Sequence, residues 1–226
     1  MSEDLLNRPV WNSLSGTQKR FGIEKGIARR FLPKYGPLSA AENYSDEGLN
    51  FLAELEIDPI GIWVFDDTFI KAPIGLEITQ SASCVQMILH DETNYDPEIE
   101  FVNLFDIDAK EMLDLAALTQ PGPFSTHTHQ LGAFIGIRVN NRLVAMAGER
   151  MRIGKYTEVS GVCTHPQFSG RGYAKALSQI VTKRIIARGE IPFLHSYQGN
   201  ETAIGLYAKL GFQKRAIVNL TILNKL

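Results

Sequence analysis

The sequence predicts an α/β (α+β) fold, a mixed central sheet flanked by helices, on three observations. Over the second half of the chain, short apolar or period-two segments alternate with segments of helical periodicity. Two of the strand-like segments, 134–139 and 143–151, are separated by Asn140-Asn141, a pair that tolerates positive φ, so they predict an antiparallel hairpin. A third, 156–164, runs into a glycine-containing turn that opens a helix. The chain has 226 residues, 44% apolar and 21% charged, enough for one large domain or two small ones and unlike a disordered chain.

Taken in order, the first elements are the weaker ones. Phe21, Ile23, Ile27, Ala28 and Phe31 fall near helical spacing among Lys19, Arg20, Lys25, Arg29, Arg30 and Lys34. They predict a basic amphipathic helix over 17–34, whose charges would form a solvated face or a partner-binding surface. Ser45, followed by Asp46 and Glu47, has the cap and first-turn charge of a helix carrying Leu49, Leu52 and Leu55. Strands are predicted at 61–65 and 79–89, and Asn94-Tyr95-Asp96-Pro97 reads as a turn and a boundary between residues 1–97 and 98–226. Beyond it come a strand at 100–104 and a helix at 108–118 stopped by Gln120-Pro121-Gly122-Pro123. After the hairpin and the third strand, a helix over 173–188 stops at Gly189, a strand covers 191–197, and Asn200 caps a helix running to Leu210. Gly211 ends it before a last strand at 216–223. No internal repeat is present.

Charge and cysteine usage exclude several functions. Lys+Arg number 23 against Asp+Glu 25, a net charge of −2, which lacks the basic excess that nucleic-acid binding requires. Met1-Ser2-Glu3-Asp4 lacks the order of a signal peptide, and no apolar run approaches the roughly 20 residues of a membrane span, so a cytoplasmic protein without a membrane partner is expected. Cys84 and Cys163 alone cannot build a disulfide framework or a four-thiolate zinc site. His127-Thr128-His129 supplies two nitrogens without a third ligand nearby, so no metal is expected, and the loop 122–132 is read as substrate-contacting.

The chemistry concentrates in Gln167-Phe168-Ser169-Gly170-Arg171-Gly172-Tyr173-Ala174. A strand feeding a glycine turn that begins a helix aims several backbone N–H groups and the positive end of the helix dipole at one spot, which favours an anion such as a diphosphate. Gly170 and Gly172 let the backbone approach a ligand, and Arg171 and Lys175 can add charge at the rim. On the glycines alone, an ordinary strand-to-helix connection explains the segment equally well. The other phosphate-binding patterns do not fit, because no G-x-x-x-x-G-K-[ST] occurs and Lys175 stands where a third glycine would be needed.

With these residues in place the sequence resembles the GNAT superfamily of acyl-CoA-dependent N-acyltransferases, in the branch with an FR47-like C-terminal domain. Gln167 to Gly172 meet the family's Q/R-x-x-G-x-G/A motif, preceded by Val162-Cys163-Thr164-His165-Pro166 at the strand end. Asn200-Glu201-Thr202-Ala203-Ile204-Gly205-Leu206-Tyr207-Ala208-Lys209-Leu210-Gly211-Phe212 looks like its N-x-x-A-x-x-L-Y-x-x-x-G-F. The resemblance covers about residues 98–226 and implies the order β-α-β-β-β-α-β-α-β; residues 1–97 lie outside it and are compatible with a degenerate partner half-sheet. It implies direct acetyl transfer from acetyl-CoA to an amine, with Gln167 to Ala174 on the cofactor's diphosphate and the backbone of Val162, Cys163 and Thr164, with Asn200, along its pantetheine arm.

That reaction needs a base for an amine whose pKa is about 10.4, and Glu158 stands at the family's base position. On a period-two reading Tyr156, Glu158, Ser160, Val162 and Thr164 share one face, which would aim Glu158 at the thioester. A free glutamate near 4.3 is a weak base, so burial would have to raise its pKa or water would have to relay the proton. Glu149 is the second choice for the base. Tyr207 matches the family's acid for the departing thiolate, although at helical spacing with Ala203 and Leu210 it also reads as a core aromatic, and Asn200 also reads as a plain cap. Cys163 reads as a small core residue, and His90 and His195 carry no signal. The alternative to an enzyme is a non-catalytic acyl-CoA-binding or regulatory module. The acceptor is open, as is the oligomeric state, with a homodimer among the options.

Overall fold

The structure, a computed structural model, describes residues 3–57, 59–90, 93 and 95–226. A first helix, α1 (Pro9–Ser15), is not among the predicted elements; it has Pro9 at its first turn and buries Val10 and Leu14, four residues apart. The expected basic helix over 17–34 does not form. A short 3₁₀ turn, Lys19–Phe21, leads into an antiparallel hairpin of β1 (Gly22–Lys25) and β2 (Ala28–Phe31). Gly26 sits in its two-residue turn at φ 51°, a backbone state a helix interior does not use and a tight hairpin favours. Nor are all the charges solvated: Arg30 is fully buried, its Nη1 donating to the Leu55 carbonyl at 2.6 Å. Burial lowers the pKa of this guanidinium, and nearby Glu56 opposes that only in part.

The rest of the N-terminal part follows its local signals. It comprises β3 (Leu38–Ala41), α2 (Asp46–Glu54), β4 (Ile62–Asp66) and the long β5 (Leu76–Leu89). The Ser45 side chain caps α2 by accepting from the Gly48 N–H, and Leu49, Leu52 and Leu55 face inward as the spacing predicts. Of the turn expected at 94–97, Asn94 lies outside the described residues. Then come β6 (Val102–Leu104), α3 (Ala109–Thr119), β7 (Phe134–Val139), β8 (Arg142–Ile153), β9 (Tyr156–Thr164), α4 (Tyr173–Ala187), β10 (Ile191–Tyr197), α5 (Glu201–Lys209) and β11 (Phe212–Lys225), in the order the resemblance implies. Asn140 and Asn141, at φ 50° and 63°, make the tight turn between β7 and β8.

Among the described residues all eleven strands join one sheet, in the order β1-β2-β3-β4-β11-β5-β10-β9-β8-β7-β6. Pairing is antiparallel except for β3 with β4 and β9 with β10. β5, from the first hundred residues, lies between β10 and β11, so the two parts of the chain share a sheet centre. One face is covered by α4, whose Leu177, Val181 and Ile185 pack on Ile135, Val144 and Val159. The other carries α3, with Met112 and Leu115 against Phe134 and Met146, and α1, with Val10 and Leu14 in the cluster of Met151, Tyr156 and Phe193. Each such Leu, Ile or Val contributes about 1.5–3 kcal/mol of burial.

Two irregularities of β9 shape the centre of the sheet. Its pairing with β10 covers only Tyr156, Thr157 and Glu158 against Ile191, Pro192 and Phe193; beyond that β10 pairs with β5 alone and a gap opens. Gly161 stands at φ 63°, and the register against β8 slips there, Met146 opposing Cys163 but Gly148 opposing Ser160. The bulge overturns the expectation of one face from Tyr156 to Thr164. Val162 joins Val159 and Leu177 on the α4 side, and Cys163 packs with Met112 and Met146 on the other, because an extra residue reverses the alternation beyond it.

Candidate active site

The gap between β9 and β10 leads into a cavity of about 150 Å³. Part of its lining, Val159, Val162 and Tyr207, belongs to the core under α4, and part, Leu38, Phe65 and Leu220, to the core on the opposite face. The slot therefore passes from one face of the sheet to the other.

On the same face of the sheet as α4 and Tyr207 lies the glycine turn, whose Phe168 and Tyr173 pack against that core. His165 Nδ1 accepts from the Gln167 N–H at 3.2 Å and shapes a 3₁₀ turn, Pro166–Phe168, after which Gly170 and Gly172 take φ 77° and 80° and α4 begins. Helix geometry leaves the first amides of α4 without internal partners, and no side chain caps them. A Cβ placed on Gly170 or Gly172 would meet nothing within 4 Å, so the turn borders open space beside the unpartnered first amides of α4. Of the rim charges, the Arg171 guanidinium lies 4.9 Å from the Phe168 ring centroid and the Lys175 ammonium 4.0 Å from that of Tyr95.

Known proteins share this architecture. A structure from Novosphingobium aromaticivorans, described as an acetyltransferase of the GNAT family, superposes with a TM-score of 0.92 at 41% identity, covering 98% of this chain and 99% of that one. The chain belongs to the GNAT family of acetyltransferases. The FR47-like protein family matches residues 134–220, the stretch holding the glycine turn and Tyr207. A GCN5-related N-acetyltransferase from Kribbella flavida shares the fold at TM-score 0.64 and 14% identity over 96% of this chain and 95% of its own. An acetyltransferase of Yersinia enterocolitica is 40% identical over 58 residues, which is 25% of this chain and 40% of that relative's length.

Within this GNAT fold the expected acid and base sit very differently. Tyr207 lies in the slot at the second turn of α5, which Asn200 caps through its Oδ1 and the Ala203 N–H at 3.1 Å. Burial pushes the phenol up to about 12, with nearby Cys163 adding to it, so the hydroxyl keeps its proton at neutral pH. Cys163 itself is buried in the α3 core, which pushes its thiol up to about 11 and leaves it no nucleophile. Glu158 is 1% exposed and every acceptor position is filled. Arg150 grips it with Nε on Oε2 and Nη2 on Oε1, both at 2.8 Å, the Met151 N–H donates to Oε2 at 3.3 Å, and His195 Nδ1 donates to Oε1 at 2.8 Å. Burial alone would raise this carboxyl, but Arg150 and then His195 outweigh it and hold it at about 2. The raised pKa that a direct base would need is absent. Glu149 lies outside the slot, its carboxylate 2.7 Å from Arg152 and 3.0 Å from Arg188.

The protonation of His195 follows from the same network. Gln86 Oε1 accepts from Arg215 Nη1 and Gln86 Nε2 donates to the Leu6 carbonyl, each at 2.8 Å, which orients the amide. Its nitrogen then faces His195 Nε2 at 2.9 Å, so that ring nitrogen accepts and the proton sits on Nδ1, toward Glu158. Burial, the larger influence, also lowers the His195 pKa, and the imidazole is neutral.

Arg150, His195, Trp63 and Phe65 are site residues that sequence patterns missed. A hint existed for Arg150, which with Glu149 is one of two charged residues inside the otherwise uncharged strand 143–151. Conversely, the loop 122–132 touches the slot only through Gly122 and Pro123; His127 and His129 lie elsewhere, His129 Nε2 2.7 Å from Asp106 Oδ1.

The buried pair has a stability consequence. Glu158→Gln leaves Arg150 unpaired in the interior and is expected to cost about 3–5 kcal/mol, read as a fall in the denaturant midpoint. An unshifted midpoint would show the pair to be solvated. For the wild type, Glu158 has a depressed folded pKa, so its stabilisation is full above its ordinary 4.5 and drains away as pH falls toward 2. Neutral His195 adds an earlier loss starting below 6.5, because the unfolded imidazole takes a proton that the folded one refuses.

Proposed function

We propose that this chain transfers an acetyl group from acetyl-CoA directly to a primary amine, in one step and with both substrates bound. The observation that carries this reading is that the glycine turn opening α4, through Phe168 and Tyr173, packs on the same core as Tyr207, Val159 and Val162, which line the slot that crosses the sheet. The amides after Gln167, through Phe168, Ser169, Arg171, Gly172, Tyr173 and Ala174, would hold the diphosphate, and the backbone at Val162, Cys163 and Thr164 with Asn200 would flank the pantetheine arm. Acetyl-CoA supplies an acyl group on a thiol leaving group. Tyr207, protonated at neutral pH, gives its proton to the departing sulfur. Glu158, with all its acceptor positions occupied, serves by holding Arg150 and His195 in place, and the amine's proton leaves through water. Residues 98–226 thus carry the donor site, and residues 1–97 complete the acceptor wall through Leu38, Trp63 and Phe65.

Calorimetric titration with acetyl-CoA, followed by thiol-release assays with amines, tests this reading. Micromolar binding and amine-dependent thiol release are expected. Absence of binding would overturn it. Binding without release for any amine would select the non-catalytic acyl-CoA module, the reading that the saturated Glu158 favours.

A further inference from the structure

Resting on that reading, we propose that the acceptor is a primary amine on a flat apolar body of about one ring, bound as the uncharged free amine, and not a polyamine, a lysine side chain or an amino acid. Charge makes the first argument. Arg150 and Glu158 are the charged residues of the slot lining among the described residues, and each is spent on the other through two 2.8 Å bonds. His195 is held neutral between Gln86 and Glu158. The pocket therefore offers no free carboxylate to a second ammonium group, and its cation is already paired in charge, with only the Arg150 Nη1 donors not engaged by Glu158. Any charge on the acceptor would be desolvated without compensation. The same condition favours the deprotonated amine over its ammonium form.

Shape makes the second argument. On the face opposite α4 the walls are Trp63, Phe65, Leu38 and Leu220, the Phe65 ring standing edge-on to the His195 ring with centroids 4.5 Å apart. At about 150 Å³, part of which the acetyl thioester must occupy, the slot leaves room for no more than about one ring. Aromatic walls favour a planar body through stacked or edge contacts. In the transfer step the amine nitrogen forms the C–N bond as the C–S bond breaks; the nitrogen loses one proton to water, and the sulfur gains one from Tyr207, which recovers it from water. The step is balanced without any further reactant.

The test is a thiol-release panel on the full chain at one pH, with 2-phenylethylamine, phenylalanine, spermidine and a lysine peptide as acceptors. The expected result is kcat/KM for 2-phenylethylamine at least about tenfold above each of the others. It should rise tenfold per pH unit up to the amine's own pKa, since the free amine is the substrate. Trp63→Ala should lower kcat/KM for this amine about tenfold or more, mainly through KM, with acetyl-CoA affinity unchanged, and Trp63→Phe should restore most of it. Preference for spermidine, the peptide or phenylalanine would overturn the proposal and leave the acetyltransferase reading standing. Acetyl-CoA binding with no amine acetylated would end both, and a pH-independent kcat/KM would end the free-amine part.

Discussion

Gly170→Glu is expected to weaken acetyl-CoA binding at least 100-fold while the protein stays folded. Two effects act together. The residue stands at φ 77°, where a side chain is strained, and its Cβ would project into open space beside the start of α4. On the proposed reading, a carboxylate placed there would also repel the diphosphate held at the α4 start. The control is Gly189→Ala at the far end of α4, which has the same strain at φ 74° and the same open surroundings but no amide cradle. Calorimetry should show binding lost in the first variant and kept in the second. Equal binding by Gly170→Glu and wild type would remove the diphosphate from this turn.

Tyr207→Phe is expected to lower kcat about 100-fold, with the Kd for acetyl-CoA within about twofold of wild type. The substitution keeps the ring that packs edge-on against Phe212, centroids 6.0 Å apart, and deletes only the hydroxyl. A coenzyme A thiol has a pKa near 8.5, so a phenol at about 12 is a poor acid in water; on the proposed reading it protonates the departing sulfur inside the slot, and it stays loaded at any working pH. No alkaline loss of activity from Tyr207 should therefore appear below about pH 10. A single-turnover experiment separates chemistry from release; an unchanged chemical step in the variant would end the acid assignment and return Tyr207 to a packing role.

Much of the site's frame was legible because it rests on short-range rules. Asn140-Asn141, the Ser45 and Asn200 caps and the glycines at 170, 172 and 189 each act over a few residues, and each stands in the backbone state its residue type predicts. The segment 17–34 failed for a related reason. Its apolar spacing fits a helix, but Gly26 favours a hairpin, and partners brought by β3 and α2 decided between them. The face assignment along β9 failed at one residue, Gly161, because strand alternation cannot anticipate a bulge set by the neighbouring strand.

The sequence by itself determined the order of elements after residue 98, the glycine turn and the Asn200-capped helix that carries Tyr207, since these depend on contacts within one turn of helix or one hairpin. Only the tertiary structure decided what Glu158 is. Its partners come from β8 and β10, His195 is oriented from β5, and the facing wall comes from β4. A carboxylate's pKa and a pocket's charge depend on neighbours within a few ångströms, whatever their distance along the chain, and those neighbours assemble only when the sheet closes.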